Sequence, residues 1–198
     1  MRNLVAMTGK AGAGKTTLAN YLVNHYGYVK FSFATALKQL LWEAYGNSDI
    51  STGLIVSKVQ DYSTSYGLKS GRELMQQFGT LFREQIDADF WIKIVDNKIA
   101  RYERDKMYQP DIVIDDLRFM NEAEWVCRHN GIIIRLEDAP HTVRTEEWNK
   151  HISEMEQDSI RSNIIVAHSI TEPMEKFYYS FAKEMLEHDL ARFLPITK

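Results

Sequence analysis

Short apolar runs alternate with longer stretches of helical spacing along this chain. Leu4 to Met7 is apolar throughout and reads as a strand. From Lys15 to about His25, Leu18, Tyr21, Leu22 and Tyr26 recur every three or four residues, the spacing of a helix that buries one face, and Gly27 supplies its stop. Val29 to Phe33 reads as a second strand. Ala36 to Tyr45 puts Leu37, Leu40, Leu41 and Ala44 on one helical face, and Gly46 ends it. Ser70 with Glu73 forms a capping-box signature for a helix from Gly71 to about Phe78. A further helix is predicted from Phe90 to about Glu103. Asn121 with Glu124 suggests a cap for another, running to His129 and closed by Asn130-Gly131. Asp111 to Asp115, Ile132 to Leu136 and Ile164 to Ala167 read as buried strands. A C-terminal helix opens at Thr171-Glu172-Pro173, with Met174, Phe177, Tyr178, Phe181 and Met185 facing the core. Asn47 to Lys69 is polar with weak periodicity. It reads either as a surface excursion around an acceptor site or as a long loop with a short helix.

Strands alternating with helices predict an α/β fold with a parallel sheet. The chain of 198 residues fits one domain with a small appendage. Hydrophobic residues make up 44% and charged residues 26%, ordinary values for a globular protein. The net charge of −3 gives no basic excess and argues against a dedicated nucleic-acid binder. Cys127 is the single cysteine, which excludes an intramolecular disulfide and argues against a cysteine zinc site. No stretch approaches the ~18 apolar residues of a membrane span, and the N-terminal run leads directly into a glycine loop. The expectation is a soluble, cytoplasmic protein without a membrane or nucleic-acid partner.

That loop, Gly9-Lys10-Ala11-Gly12-Ala13-Gly14-Lys15-Thr16, matches G-x-x-x-x-G-K-[ST] in full, between a strand and an amphipathic helix. Glycines let the backbone wrap closely and aim its N–H groups inward as an anion nest. The helix N-terminus adds partial positive charge. Lys15 can reach the β- and γ-phosphates, and Thr16 can offer a hydroxyl to Mg²⁺. Gly9, Gly12, Ala13, Gly14, Lys15, Thr16 and Thr17 are therefore the expected ATP site. A phosphate loop also needs an acid at the end of another strand, and Asp115-Asp116 stands there. Thr16 is an expected magnesium residue together with one of the two acids, directly or through water; Asp115 is assigned here, and the other acid could orient the acceptor or cap a loop. A guanine-binding N-K-x-D motif is ruled out at Asn97-Lys98-Ile99-Ala100, because Ala100 replaces the acid and the segment precedes the magnesium-site strand.

Arg72, Arg83, Arg118, Arg135 and Arg144 lie near predicted element ends. Arg72 and Arg83 flank Gln76, a grouping suited to an acceptor's phosphate because guanidinium forks match phosphate oxygens. Phe33, Phe78 and Trp91 could stack on a base or pack in the core. The polar stretch from about 137 to 154, with His141, Arg144 and His151, falls where a lid would keep water from the γ-phosphate. Arg144 is its candidate ATP contact.

Several stretches resemble the phage deoxynucleoside monophosphate kinases, a family of P-loop kinases. They are Gly9 to Thr16; Phe33-Ala34 with Leu37-Lys38; Gly71 to Thr80 (Gly-Arg-Glu-Leu-Met-Gln-Gln-Phe-Gly-Thr) with Arg83, Asp89 and Trp91; Val113 to Phe119 with Asn121-Glu122; His151 with Ser153-Glu154; and Asn163. The resemblance implies a three-layer P-loop fold like that of nucleoside monophosphate kinases, with a parallel-sheet core, an acceptor-binding region at about 46–92 and a lid at about 137–154. It implies transfer of the ATP γ-phosphoryl group, with Mg²⁺, to a dNMP. By position it makes Lys15, Asp116 and Arg118 catalytic, and puts Phe33, Lys38, Arg72, Gln76, Arg83, Trp91 and Asp116 at the acceptor. A homodimer is common in the family. Thr17 and Leu81 stand where acids are common. The alternatives are another small-molecule P-loop kinase, such as one resembling phosphomevalonate kinases, or an ATPase module acting on a partner or nucleic acid.

Overall fold

Five of the apolar runs pair as one parallel sheet. The computed structural model describes residues 3–10, 12–45, 61–64, 67–138, 152–168, 178, 181–183 and 185. Strand β1 (Leu4–Thr8) leads through the glycine loop into α1 (Lys15–Tyr26), followed by β2 (Val29–Phe31) and α2 (Ala34–Tyr45). A hairpin of β3 (Asp61–Thr64) and β4 (Gly67–Ser70) precedes α3 (Gly71–Gln85) and α4 (Phe90–Lys106). Next come β5 (Ile112–Ile114), α5 (Met120–Arg128), β6 (Ile132–Asp138), α6 (Ile152–Ser159) and β7 (Ile164–His168). The order across the sheet is β2-β5-β1-β6-β7. β1 lies at the centre, paired with β5 through Val5↔Val113 and with β6 through Val5↔Ile132.

Burial on both faces explains the unbroken apolar composition of these strands. Every residue of β1 and of β5 is buried. Leu18 and Leu22 of α1 pack with Val5, Met7, Val113, Ile134, Val166, Phe181 and Met185 in one core. Phe181 and Met185 thus occupy the core as the C-terminal pattern predicts, whereas Met174 and Phe177 lie outside the described residues. Tyr28 is buried at the start of β2, and burial together with the nearby Asp111 carboxylate pushes its phenol above the ordinary range.

The chain divides into two compact units, residues 33–98 and the remainder. The sheet and glycine loop belong to the larger. The smaller contains α2, the β3-β4 hairpin, α3 and the first part of α4.

Differences from the expected elements have physical causes. The hairpin replaces part of the segment left undecided between surface excursion and loop; 46–60 lies outside the described residues. The Ser70–Glu73 capping box forms: Ser70 N donates to Glu73 Oε2 at 2.8 Å, and Glu73 N to Ser70 Oγ at 3.3 Å. Its helix, however, runs to Gln85, well beyond Phe78. Gly79 is tolerated inside it because the bare backbone is packed: a Cβ there would come within 3.3 Å of Leu37, and the Trp91 indole N–H donates to the Gly79 carbonyl at 3.2 Å. The expected Asn121–Glu124 cap does not form. α5 starts at Met120, and Glu122 takes the capping role, its buried carboxylate accepting from Arg118 N at 2.9 Å and Phe119 N at 3.1 Å. Helix α6 lies in a polar stretch whose sequence predicts no element.

Asn163 finds a purely architectural explanation. Its side-chain oxygen accepts from Ile133 N at 2.7 Å and its own N–H donates to Ile133 O at 2.8 Å, so it starts β7 in register on β6. Asn163→Ala leaves the Ile133 amide unpaired and should cost on the order of 1–2 kcal/mol, lowering Tm by about 2–8 °C. Calorimetry checks this; an unchanged Tm would remove Asn163 from the list of register-setting residues.

Candidate active site

At the end of β1 the chain must turn immediately, because β6 runs alongside. Gly9 turns it with φ of 134°, and a Cβ there would lie 2.2 Å from the Leu136 carbonyl oxygen, inside contact distance with backbone. Only glycine fits without displacing β6. Gly12 and Gly14 also have positive φ, at 89° and 86°, and carry the chain around the loop. Gly14 occupies the N-cap of α1 and offers no side-chain cap. The partial positive charge of the first turn is thereby left facing the loop, the arrangement that suits a phosphate.

Lys15 is nearly buried, 8% exposed. Its ammonium donates to the Gly9 carbonyl and, at 2.7 Å, to the Lys10 carbonyl. The Gly9 carbonyl has a second donor, Gln157 Nε2 of α6, at 2.5 Å. Lys10 reaches the same helix, with Nζ 2.8 Å from Asp158 Oδ2. Arg135 binds the end of α6, donating to Gln157 O at 2.9 Å and Ile160 O at 2.7 Å, a helix-terminal role that accounts for this arginine without a ligand.

The two acids after β5 part company, as successive side chains of extended backbone do. Asp115 Oδ2 accepts from Thr16 Oγ1 at 2.9 Å and has Lys30 Nζ at 3.7 Å. Asp116 Oδ2 accepts from Ser32 Oγ, just beyond β2, at 2.7 Å. The segment that carries them is fixed at both ends: Leu117 N donates to Met7 O at 3.1 Å, and Glu122 receives Arg118 N and Phe119 N. Thr16 with Asp115 presents hard oxygen donors of the kind that hold Mg²⁺ together with substrate phosphates. Among the described residues no cluster of three or more His, Cys, Asp or Glu could hold a metal unaided.

The smaller unit holds the other expected residues. Because α3 extends to Gln85, Arg72, Gln76 and Arg83 all fall on one helix, at offsets of four and eleven residues. At about 100° per residue these offsets place the three within roughly 40° of one another, and all three are partly buried. Phe33 and Trp91 are each 3% exposed. Trp91 packs against Phe82 and Phe90, with its N–H on Gly79, and so serves as core of its unit. Phe78 is partly exposed on α3, and Lys38 partly exposed on α2. Arg144, Ala11, His141 and His151 lie outside the described residues, as does 139–151, most of the stretch expected to be a lid; Glu137 and Asp138 end β6, and Ile152 to Glu154 begin α6.

Sequence reasoning missed Lys30, Ser32 and Gln157. The first two sit in or just after a parallel strand, where ligand sites of α/β sheets gather, and that rule could have flagged them. Nothing local marks Gln157, whose partner is 148 positions away.

Comparison with known proteins adds independent observations. A family model described as deoxynucleotide monophosphate kinase matches residues 55–178. The match begins well after the glycine loop, so the two signals do not depend on each other. A protein of Acanthamoeba polyphaga mimivirus, provisionally named a deoxynucleotide monophosphate kinase, is 31% identical over 184 residues, 88% of this chain and 92% of that protein. The crystal structure of shikimate kinase from Bacteroides thetaiotaomicron superposes with a TM-score of 0.50 at 14% identity, covering 95% of this chain and 99% of that one, a likeness of fold. A match through the centre of the chain and a relative aligned over nearly its whole length lead to one placement: the chain belongs to the deoxynucleotide monophosphate kinase family.

Proposed function

We propose that the protein transfers the γ-phosphoryl group of ATP to a deoxynucleoside monophosphate, giving ADP and a dNDP. The observation that carries the ATP half is the Thr16–Asp115 contact of 2.9 Å beside a glycine loop whose lysine is held on the loop's own carbonyls. The acceptor half is supported by family membership and by the Arg72–Gln76–Arg83 stripe on α3.

In this reading the loop and the first turn of α1 hold the triphosphate by N–H groups and helix charge. Lys15 turns from the loop carbonyls to the β- and γ-phosphates, where it offsets charge on the moving group. Thr16 with Asp115 would hold Mg²⁺ alongside the phosphates, and the ion would supply further charge neutralisation there when bound. Asp116, oriented by Ser32, and Arg118 serve the reacting phosphates. Arg72, Gln76 and Arg83 bind the acceptor, and Lys38 lies in the same unit as a further cation for it. Arg72 and Arg83 are roughly 16 Å apart along the helix axis, so they are assigned to different parts of a nucleotide and not to one phosphate. Trp91 and Phe33 act by shaping this unit. Thr17 and Arg144 complete the proposed ATP contacts, the latter from a lid at about 137–154. Among the described residues no helix is long and apolar enough to cross a membrane.

A panel of nucleoside monophosphates with coupled ADP detection tests the reaction. Turnover with at least one dNMP is expected, and turnover only with other phosphorylated small molecules, or none with any dNMP, would overturn the assignment. Lys15→Ala should lower kcat/KM by roughly 10²–10³-fold or more, the usual effect of removing a transition-state cation or donor, with an unchanged circular dichroism spectrum. Near-normal activity in that folded variant contradicts the ATP-site assignment. Arg72→Ala should raise KM for the acceptor about tenfold, the loss of roughly one charge-assisted hydrogen bond, with KM for ATP changed little. The reverse pattern in steady-state kinetics moves Arg72 out of the acceptor site.

A further inference from the structure

The Gly9 carbonyl has two donors that differ in kind. One is the Lys15 ammonium, the group that the proposed reaction needs at the phosphates. The other is Gln157 Nε2, from a helix distant in sequence, at 2.5 Å. Gln157 is 0% exposed, and its Oε1 has no partner among the described residues. A buried amide oxygen left unpaired is costly, and an apolar side chain of the same length would fill the space without that cost. Packing alone therefore does not explain a glutamine here. The orientation of the amide is set by its neighbour: turned over, its oxygen would face the Gly9 oxygen.

We propose that Gln157 is a positioning residue for ATP binding, keeping the Gly9 carbonyl paired so that Lys15 can leave it for the triphosphate. This rests on the reading of Gly9 to Thr16 as the ATP site. A carbonyl oxygen has two acceptor positions, and both are in use here. When Lys15 departs, a carbonyl without Gln157 would be buried and unpaired, and the lysine would be held back by that penalty. With Gln157 in place the release is nearly free of it. The loop also keeps its shape, because Gly9 cannot move toward β6: the Leu136 carbonyl already occupies that side. Gln157 is itself held, since Arg135 donates to its backbone carbonyl at 2.9 Å and Lys10 pairs with the adjacent Asp158 at 2.8 Å.

The test uses the full chain with Gln157→Met, which preserves length and removes the amide. Its Tm without nucleotide should equal or exceed that of wild type, because Lys15 still pairs with Gly9 and the unpaired amide oxygen is gone. Its Kd for Mg·ATP, read by fluorescent-nucleotide displacement, and its KM for ATP should rise about tenfold, the usual consequence of one unpaired buried acceptor, with the acceptor KM within about twofold. In a Lys15→Met background the same change should add little, since there is no ammonium to release. A wild-type Kd for ATP in Gln157→Met overturns the proposal. So do additive losses in the double variant, or a fall in Tm accompanied by equal losses for both substrates, which would mark a structural role. Should Gln157→Met fail to fold, Gln157→Glu replaces it; a carboxylate cannot donate to Gly9 and attracts Lys15, so ATP should again weaken, and unchanged affinity is again the contrary result. Wild type that binds ATP yet phosphorylates no dNMP would defeat the functional reading alone, while the Kd and Tm comparisons would still decide the role of Gln157.

Discussion

Gly9 is wedged against the backbone of β6, and the proposed phosphate site depends on that close approach. A methyl group at this position would sit 2.2 Å from the Leu136 oxygen. The chain can therefore leave β1 only by the tight path a glycine permits, and that path brings the Gly9 and Lys10 carbonyls to the Lys15 ammonium. The constraint itself comes from the sheet. β1 is central, with β5 on one side and β6 on the other, so its C-terminal end is the point where connections diverge and a crevice opens. Sequence places the glycine; the neighbouring strand makes it obligatory.

The same strand order explains the division between the two acids. Asp115 leaves β5 toward Thr16 at the mouth of the loop, and Asp116 toward Ser32 beyond β2. One residue of backbone thus separates the carboxylate proposed for the metal from one that bonds Ser32 instead. Their segment is held by Leu117 on Met7 and by the buried Glu122, both hydrogen-bonding to main chain and not to ligand. Rigid support of this kind lets a short, polar stretch hold its geometry.

Much of this was legible in the sequence because the signals were local. The apolar strands, the glycine loop and the Ser70–Glu73 box each carry their physics within a few residues. The reach of α3 was not legible, since Gly79 weakens a helix by about 1 kcal/mol relative to alanine and only packing against Leu37 and Trp91 shows why it continues. The hairpin was hidden by polar strands, Asp61-Tyr62-Ser63-Thr64 facing Gly67-Leu68-Lys69-Ser70, which lack an apolar alternation. Glu122, not Glu124, caps α5 because the chain enters that helix two residues earlier than Asn121 suggests. Gln157 was beyond reach for a different reason: its significance lies in one contact across 148 positions.

Within the site, Lys15 is stored on the loop's own carbonyls, and in the proposed reaction it changes partners when ATP arrives. A crystal structure with a Mg·ATP analogue and a dNMP tests this most directly. The expected result is the triphosphate in the Gly9–Thr16 loop, Lys15 Nζ on its phosphates, and Gln157 Nε2 still within hydrogen-bond distance of the Gly9 oxygen. A triphosphate bound elsewhere, or Lys15 still on Gly9 with the nucleotide in place, would contradict it.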